Sequence, residues 1–276
     1  LIAKYQLNAG KDAQHYGIGI KELWDIDPVK HEPGLVLHGT GWPLSCKESE
    51  GGASGGFFLY HTEDNQVVVG LITDLNYDNP HLSPFDEFQR MKHHPLIADT
   101  LTGGKRVSYG ARAITKGGYN ALPKMSMPGA LLLGCDAGTL NFSKIKGTHT
   151  AMKSGMVAAE TLFEVLNTTG EQNGNEGGHD LITYGDNFKN SWAYEELYKS
   201  RNFGPVLHKF GIVIGGALNY IDQNVVGLPF TIHDNYPDYS WLKSASECGT
   251  ISYPKPDGVL SFDKPSSVFL SNTNHE

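Results

Sequence analysis

Pro128-Gly-Ala-Leu-Leu-Leu-Gly-Cys-Asp-Ala-Gly-Thr-Leu-Asn-Phe-Ser-Lys-Ile-Lys-Gly-Thr-His-Thr-Ala-Met-Lys-Ser-Gly155 is the stretch whose reading decides the fold. Ala130 to Leu133 is an apolar strand that runs into the turn Gly134-Cys-Asp-Ala-Gly138. A further glycine, Gly147, then opens a helix rich in small residues, Thr148 to Leu166. Glycine has no Cβ and tolerates positive φ, so such a turn lets a ligand come close to bare backbone. A helix start presents N–H groups without helical partners and a partial positive charge. The two together suit an electron-rich, partly anionic ligand. A flavin fits, because its pyrimidine edge gains negative charge on reduction. In that reading Asp136 accepts from ribityl hydroxyls, and Gly147, Thr148, His149 and Thr150 meet the ring carbonyl. Gly134, Ala137 and Gly138 form the close-approach turn. The competing reading is an ordinary strand–turn–helix whose glycines serve packing.

Upstream, Tyr16 to Ile26, Gly34 to Trp42, Phe57 to His61 and Val67 to Leu75 read as strands. They are β-branched and aromatic runs between Gly and Asn/Asp turns. Thr62-Glu-Asp-Asn65 predicts a hairpin turn. Ser83-Pro-Phe-Asp86 predicts a helix start with Ser as N-cap and Pro at the first helical position, the helix closing before Pro95. Gly55-Gly56 precedes a strand, where a bulge or bend is the ordinary explanation. Downstream, Asn167 to Gly178 reads as a surface loop, and Tyr184 to Arg201 as a helix. Val206 to Phe230 follows and contains the uncharged run Phe210-Gly-Ile-Val-Ile-Gly-Gly-Ala-Leu218. It is too short and too interrupted for a membrane span. It suits either a buried helix or one lying in a lipid interface with Lys209 reaching the headgroups.

The 276 residues carry a net charge of −8 and no basic stripe, which argues against nucleic acid as a partner. Three cysteines, Cys46, Cys135 and Cys248, are too few for the four thiolates of an iron–sulfur cluster. Their odd number and irregular spacing do not suggest a disulfide framework. His93 and His94 stand at a helix end, and His38 and His61 are single. No ligand spacing for a metal and no nucleophile–base arrangement is visible. That silence suits an enzyme whose chemistry belongs to a cofactor.

The run Lys144-Ile-Lys-Gly-Thr-His-Thr-Ala-Met-Lys-Ser-Gly155 resembles the second flavin motif of electron transfer flavoprotein–ubiquinone oxidoreductases. Further segments resemble the same family. They include Tyr16-Gly-Ile-Gly-Ile-Lys-Glu-Leu-Trp24, Gly41-Trp-Pro43, Gly55-Gly-Phe-Phe-Leu-Tyr-His61 and Leu82-Ser-Pro-Phe-Asp-Glu-Phe-Gln-Arg90. Lys92-His-His-Pro95, Gly104-Lys-Arg106, Tyr109-Gly-Ala-Arg112, Lys189-Asn-Ser-Trp192 and Tyr253-Pro-Lys-Pro-Asp-Gly258 extend the likeness to nearly the whole chain.

The resemblance implies an α/β (α+β) architecture. A portion of a glutathione-reductase-like FAD domain is interrupted by a mixed-sheet ubiquinone-binding domain and followed by a helical segment. It divides the chain into 1–12, the end of an FAD-domain segment; 13–110, the quinone-binding sheet; and 111–166, the returning FAD strand and helix. Then come 167–240, a loop, a helix and a membrane-associating helix, and 241–276, the lead-in to a 4Fe-4S domain. It implies that Gly55 and Gly56 contact the ubiquinone headgroup through backbone. It also implies that electrons pass from reduced electron transfer flavoprotein through 4Fe-4S and FAD to ubiquinone. The setting would be the surface of the mitochondrial inner membrane or the bacterial cytoplasmic membrane.

Neither the family's Gly-x-Gly-x-x-Gly unit nor its cysteine cluster occurs here. With Leu1 at the start, the expectation is an internal fragment that alone binds FAD poorly. The alternatives are an FAD-dependent monooxygenase or prenyl reductase, or a membrane-associated remnant without catalysis.

Overall fold

A computed structural model describes residues 1–45, 52–169 and 181–272. The strands are β1 Tyr16–Asp25, β2 Val36–Thr40, β3 Gly55–His61, β4 Gln66–Asp74, β5 Lys105–Thr115, β6 Ser126–Met127 and β7 Ala130–Leu131. The α-helices are α1 Pro84–Met91, α2 Pro95–Leu101, α3 Gly134–Ala137, α4 Thr148–Thr169, α5 Ile182–Lys189, α6 Trp192–Lys199, α7 Phe203–Asn224 and α8 Lys264–Phe269. Contacts divide the chain into two compact units, each made of two stretches: residues 1–15 with 115–237, and residues 16–114 with 238–276.

The second of these units is built on a five-stranded sheet of order β2-β3-β4-β1-β5. Within it, β2–β3, β3–β4 and β1–β4 pair antiparallel. The turn at 62–65 joins β3 to β4 as a hairpin, with Asp64 and Asn65 both at positive φ. The pleat sends Ile20, Glu22 and Trp24 of β1 and Val67, Val69 and Leu71 of β4 into the interior. There they meet Phe88 and Met91 of α1 and Ile97 and Leu101 of α2 in one apolar cluster. Ser83 caps α1 by accepting from the Asp86 N–H, with Pro84 in the first turn, as its residues predicted. Helix α1 closes at Met91, before Pro95 as expected, and Pro95 itself opens α2, since a proline's missing N–H is harmless in a first turn.

Residues 238–276 complete this unit. Tyr253 Oη donates to Glu87 at 2.8 Å, and the Phe262 N–H donates to Gln89 at 2.8 Å. Contacts group the tail, read from sequence as the lead-in to a further domain, with residues 16–114 in this unit.

Glu22 is the one charged side chain among these inward residues of β1. Its carboxylate accepts from Lys92 Nζ at 2.8 Å, Arg106 Nη1 at 3.1 Å and Trp24 Nε1 at 2.9 Å. Arg106 also donates to Ser267 of α8 at 2.6 Å, and Phe262 covers the guanidinium at 3.8 Å.

In the other unit, β6 and β7 form a two-residue ladder around Pro128–Gly129. The strand expected over 130–133 is shorter than its apolar run, because Leu133 already serves as the N-cap of α3. Leu132, Ala137, Val157, Ala158, Tyr184, Phe188 and Leu197 form the core. The single helix expected from Tyr184 to Arg201 is two helices, because Ser191 breaks the run and caps α6 by accepting from the Tyr194 N–H. The larger part of the loop expected over 167–178 lies outside the described residues, and α4 itself continues to Thr169.

Helix α7 covers the apolar run but is kinked at Gly211 (φ 72°, ψ −178°), a conformation that only glycine takes without strain. Among the described residues, no helix is long and apolar enough to cross a membrane.

Candidate functional site

Helix α3 is one turn long and is closed by Gly138 in the left-handed region (φ 87°). The chain then passes through 139–146 and re-enters helix at Gly147, whose carbonyl accepts from the Ala151 N–H. Turn and helix start lie against each other. The Gly134 N–H donates to Ser154 Oγ at 2.9 Å. A Cβ on Gly134 would sit 3.1 Å from that of Ala151, and one on Gly147 would sit 3.1 Å from Cys135 Sγ. Gly134, Ala137, Gly138, Gly147, Thr148, His149 and Thr150 are thus brought together. Asp136 belongs to the same turn and is exposed. Thr148 is exposed and Thr150 is buried, its hydroxyl donating back to Gly147 O at 3.0 Å.

One carboxylate on α6 holds this region. Glu196 accepts from Asn141 Nδ2 at 2.8 Å, Lys144 Nζ at 2.7 Å and His149 Nε2 at 2.7 Å. The His149 ring stacks on Trp192, 9° from parallel at 5.9 Å. Burial alone would raise the Glu196 pKa, but the hydrogen bonds from Lys144, His149 and Asn141 outweigh it and bring the carboxyl to about 2. No acidic residue lies in the first turn of α4, and with Glu196 offsetting Lys144 the remaining positive charge is that of Lys146 and the helix start. The donor set suits a ring edge that gains negative charge.

Gly55 and Gly56 open β3 in the sheet unit. Gly55 pairs with Thr73, and Gly56 pairs with Ile72 on one side and Thr40 on the other. Gly55 O accepts from Thr40 Oγ1 at 2.7 Å. A Cβ on Gly55 (φ 153°) would stand 2.0 Å from Ile72 O, and one on Gly56 would stand 2.7 Å from Gly39 O. The sheet itself therefore requires both glycines, whatever else they contact.

Sequence reasoning missed a second cluster, in the unit that holds the glycine turn. Lys116, His15, His208 and Asp234 line a cleft with Gly117, Tyr119, Leu140, Phe142 and Pro205. His208 Nδ1 lies 2.6 Å from Asp234 Oδ2, and His208 Nε2 lies 3.3 Å from Lys116 Nζ. His15 Nε2 is 3.4 Å from the same carboxylate oxygen. Burial would raise the Asp234 pKa, but the His208 hydrogen bond, the charges of His15 and His208 and the Tyr236 N–H hold it below the ordinary range. Two imidazoles and a carboxylate invite a metal reading. Lys116 opposes it, since a cation already stands against one ring nitrogen of His208 while Asp234 takes the other. These groups are scattered across residues 15, 116, 208 and 234, so no local spacing could have signalled them. Of the histidines weighed from sequence, His61 Nδ1 accepts from the Glu32 N–H, His38 meets Tyr60 Oη and His93 lies 3.9 Å from Asp257.

The exposed face of α7 carries Ile212, Val213, Ile214, Leu218, Tyr220 and Ile221, with Val213 84% exposed.

Residues 16–114 match the family described as ETF-QO, ubiquinone-binding. The chain is 64% identical to the electron transfer flavoprotein–ubiquinone oxidoreductase of Pseudomonas aeruginosa, over 100% of this chain and 49% of that protein. It is 48% identical to the human mitochondrial protein of that name (100% and 45%) and 46% identical to that of Arabidopsis thaliana (100% and 42%). Among solved structures, the fold is similar to a geranylgeranyl bacteriochlorophyll reductase-like protein from Thermoplasma acidophilum. That match has a TM-score of 0.52 at 16% identity and covers 82% of this chain and 51% of the other. Spanning about half the length of the curated relatives it matches, the chain is homologous to them from end to end and belongs to the electron transfer flavoprotein–ubiquinone oxidoreductase family.

Proposed function

We propose that this chain supplies part of the flavin site and the quinone-binding sheet of an enzyme that accepts electrons from reduced electron transfer flavoprotein. The electrons would pass through a 4Fe-4S centre and FAD to ubiquinone at a membrane surface. The cluster's ligands would come from outside these 276 residues, which hold three cysteines. The observation that carries the reading is the glycine turn folded against a helix start with no acidic residue in its first turn, in a chain 64% identical to such an oxidoreductase throughout.

FAD, when bound, supplies the redox chemistry. The chain's part is to receive it. The turn from Gly134 to Gly138 allows close approach, and the Asp136 carboxylate accepts from hydroxyls. First-turn N–H groups at Thr148, His149 and Thr150 face the ring edge that becomes negative. Glu196 keeps His149 and Lys144 in place beside them. In the sheet unit, Gly55 and Gly56 offer backbone to a quinone carbonyl. The exposed apolar side of α7 rests in lipid, on one leaflet only.

The substitution Thr148→Asp separates this reading from a packing role for the helix start. An acidic residue in a first turn favours the helix itself, so the melting temperature holds or rises. In the full-length protein the same charge opposes the reduced ring, so the flavin midpoint potential falls and FAD affinity drops at least about tenfold, the consequence of roughly 1.4 kcal/mol. An unchanged potential and affinity would refute the placement of the ring at this helix start.

A further inference from the structure

Side chains alternate along β3 and β4 and so separate the two faces of the sheet. Leu59, Val67, Val69 and Leu71 point inward, buried in the apolar cluster shared with α1 and α2. That face is closed core. Phe58, Tyr60, Val68 and Ile72 point outward and are half-buried. Gly56 lies on the same outward face, two positions before Phe58 and opposite Ile72. The Phe58 and Tyr60 rings stack, with centroids 4.8 Å apart and planes 27° from parallel. His38 of β2 holds the far end of Tyr60, whose Oη lies 3.1 Å from His38 Nε2. Phe58 leans across β4 at Gly70, where any Cβ would run into its ring. Tyr60 therefore takes one face of the Phe58 ring, and the other face is turned back along the strand towards Gly56. The neighbours at that level lean away from it. Ile72 Cγ2 comes within 3.1 Å of where a Cβ on Gly17 would stand, and Thr40 Oγ1 is drawn to Gly55 O at 2.7 Å. Residues 36–40, 55–61 and 67–72 include no Asp, Glu, Lys or Arg. Three such strands offer an uncharged platform of about 10 Å by 14 Å, the size of a substituted six-membered ring and the first part of an apolar tail.

We propose that a quinone ring stacks on the Gly56-side face of Phe58, on the outward side of the sheet, with Tyr60 as the positioning residue behind it. The proposal rests on the functional reading above and adds which face of the sheet carries the quinone and which side chains hold its ring. The ligand class is a flat, electron-poor ring with an apolar tail. An electron-poor ring complements the negative face of a phenyl group. Stacked there, it lies beside the strand start at Gly55 and Gly56, within reach of the backbone.

The test uses the full-length protein with short-chain ubiquinone. Phe58→Leu should raise the quinone KM about fivefold, inside the roughly two- to tenfold that an aromatic pair contributes, and leave flavin reduction by the donor flavoprotein unchanged. Phe58→Tyr keeps the ring and should hold KM within about twofold of wild type. Tyr60→Leu should fall between the two, since Phe58 keeps its ring and loses its backing. An azido-ubiquinone photolabel on the wild-type protein needs no variant to fold. It should attach within residues 55–60 or 68–72, and excess unlabelled quinone should prevent it. An unchanged KM in Phe58→Leu, a tyrosine variant as poor as the leucine variant, or label found only outside these strands would each overturn the stacking while leaving the enzyme a quinone reductase. A wild-type protein that neither takes the label nor reduces quinone would instead overturn the functional reading and, with it, this proposal.

Discussion

Replacing Glu22 by Gln removes the carboxylate that both cations of a buried site bond. Lys92 and Glu22 have side chains 0% exposed, and that of Arg106 is 5% exposed. Removing one member of such a group costs about 3–5 kcal/mol, and the structure shows how that loss divides. Burial lowers the Lys92 pKa, Glu22 raises it again, and the balance leaves it at about 8 against an ordinary 10.5. Without Glu22 the lysine can escape by giving up its proton. At pH 7 that escape costs on the order of 1 kcal/mol, which caps the lysine's share. Arg106 has no such escape, because its guanidinium keeps its proton, and it carries the rest.

The pH dependence follows from the sign of the shift. A depressed folded-state pKa gives a contribution that is complete above 10.5 and is lost as the pH falls through about 8. The loss in Glu22→Gln should therefore shrink by about 1 kcal/mol between pH 7 and pH 9. Urea unfolding followed by tryptophan emission measures it. Trp24 is 1% exposed and bonded to Glu22, while Trp42, Trp192 and Trp241 are each more than 40% exposed. Lys92→Met should cost less than Glu22→Gln, since Glu22 keeps Arg106 and Trp24. A Glu22→Gln loss under about 1 kcal/mol, or one that does not shrink towards pH 9, would refute the reasoning.

Glu196→Gln should lower stability near neutrality by an amount that fades with acid. The Glu196 contribution is complete above 4.5 and is lost as the pH falls through about 2, so melting curves of the two proteins should converge over that window. Gly55→Ala should cost about 3 kcal/mol or more of sheet-unit stability, because its Cβ meets Ile72 O and Leu44 at a φ that alanine resists; calorimetry decides it. Val213→Glu, at a site 84% exposed, should leave melting unchanged and reduce flotation with liposomes more than about tenfold, given 1.5–3 kcal/mol for an apolar side chain leaving water. Equal flotation would remove α7 from the lipid contact.

Wherever a signal is local, the sequence shows the structure. The alternation in β1 and β4, the Asn–Asp turn between β3 and β4 and the Ser83–Pro84 cap all lie within a few residues and all formed. Pro95 was legible but ambiguous, since proline both ends one helix and begins the next. Strand β5 escaped because Lys105 to Thr115 mixes charged and small residues without clear alternation. At the candidate flavin site, the glycines and the helix start stood together in one stretch and could be read as a unit. Glu196 could not, because it acts from 47 residues beyond His149. Nor could the Lys116–His208–Asp234 group, whose members meet only after the chain has folded.

The sheet unit is assembled from two stretches, and this sets an order of events on the ribosome. Glu22, Lys92 and Arg106 emerge early, but Ser267 follows Arg106 by 161 residues. At about 5–20 residues per second, the nascent sheet waits roughly 8–30 s for the segment that covers its buried charges. During that interval the guanidinium and the apolar surface beneath Phe262 face the cytosol or a chaperone. Substitutions in residues 238–276 should therefore show first as poor yield of soluble protein, before any defect in the purified enzyme.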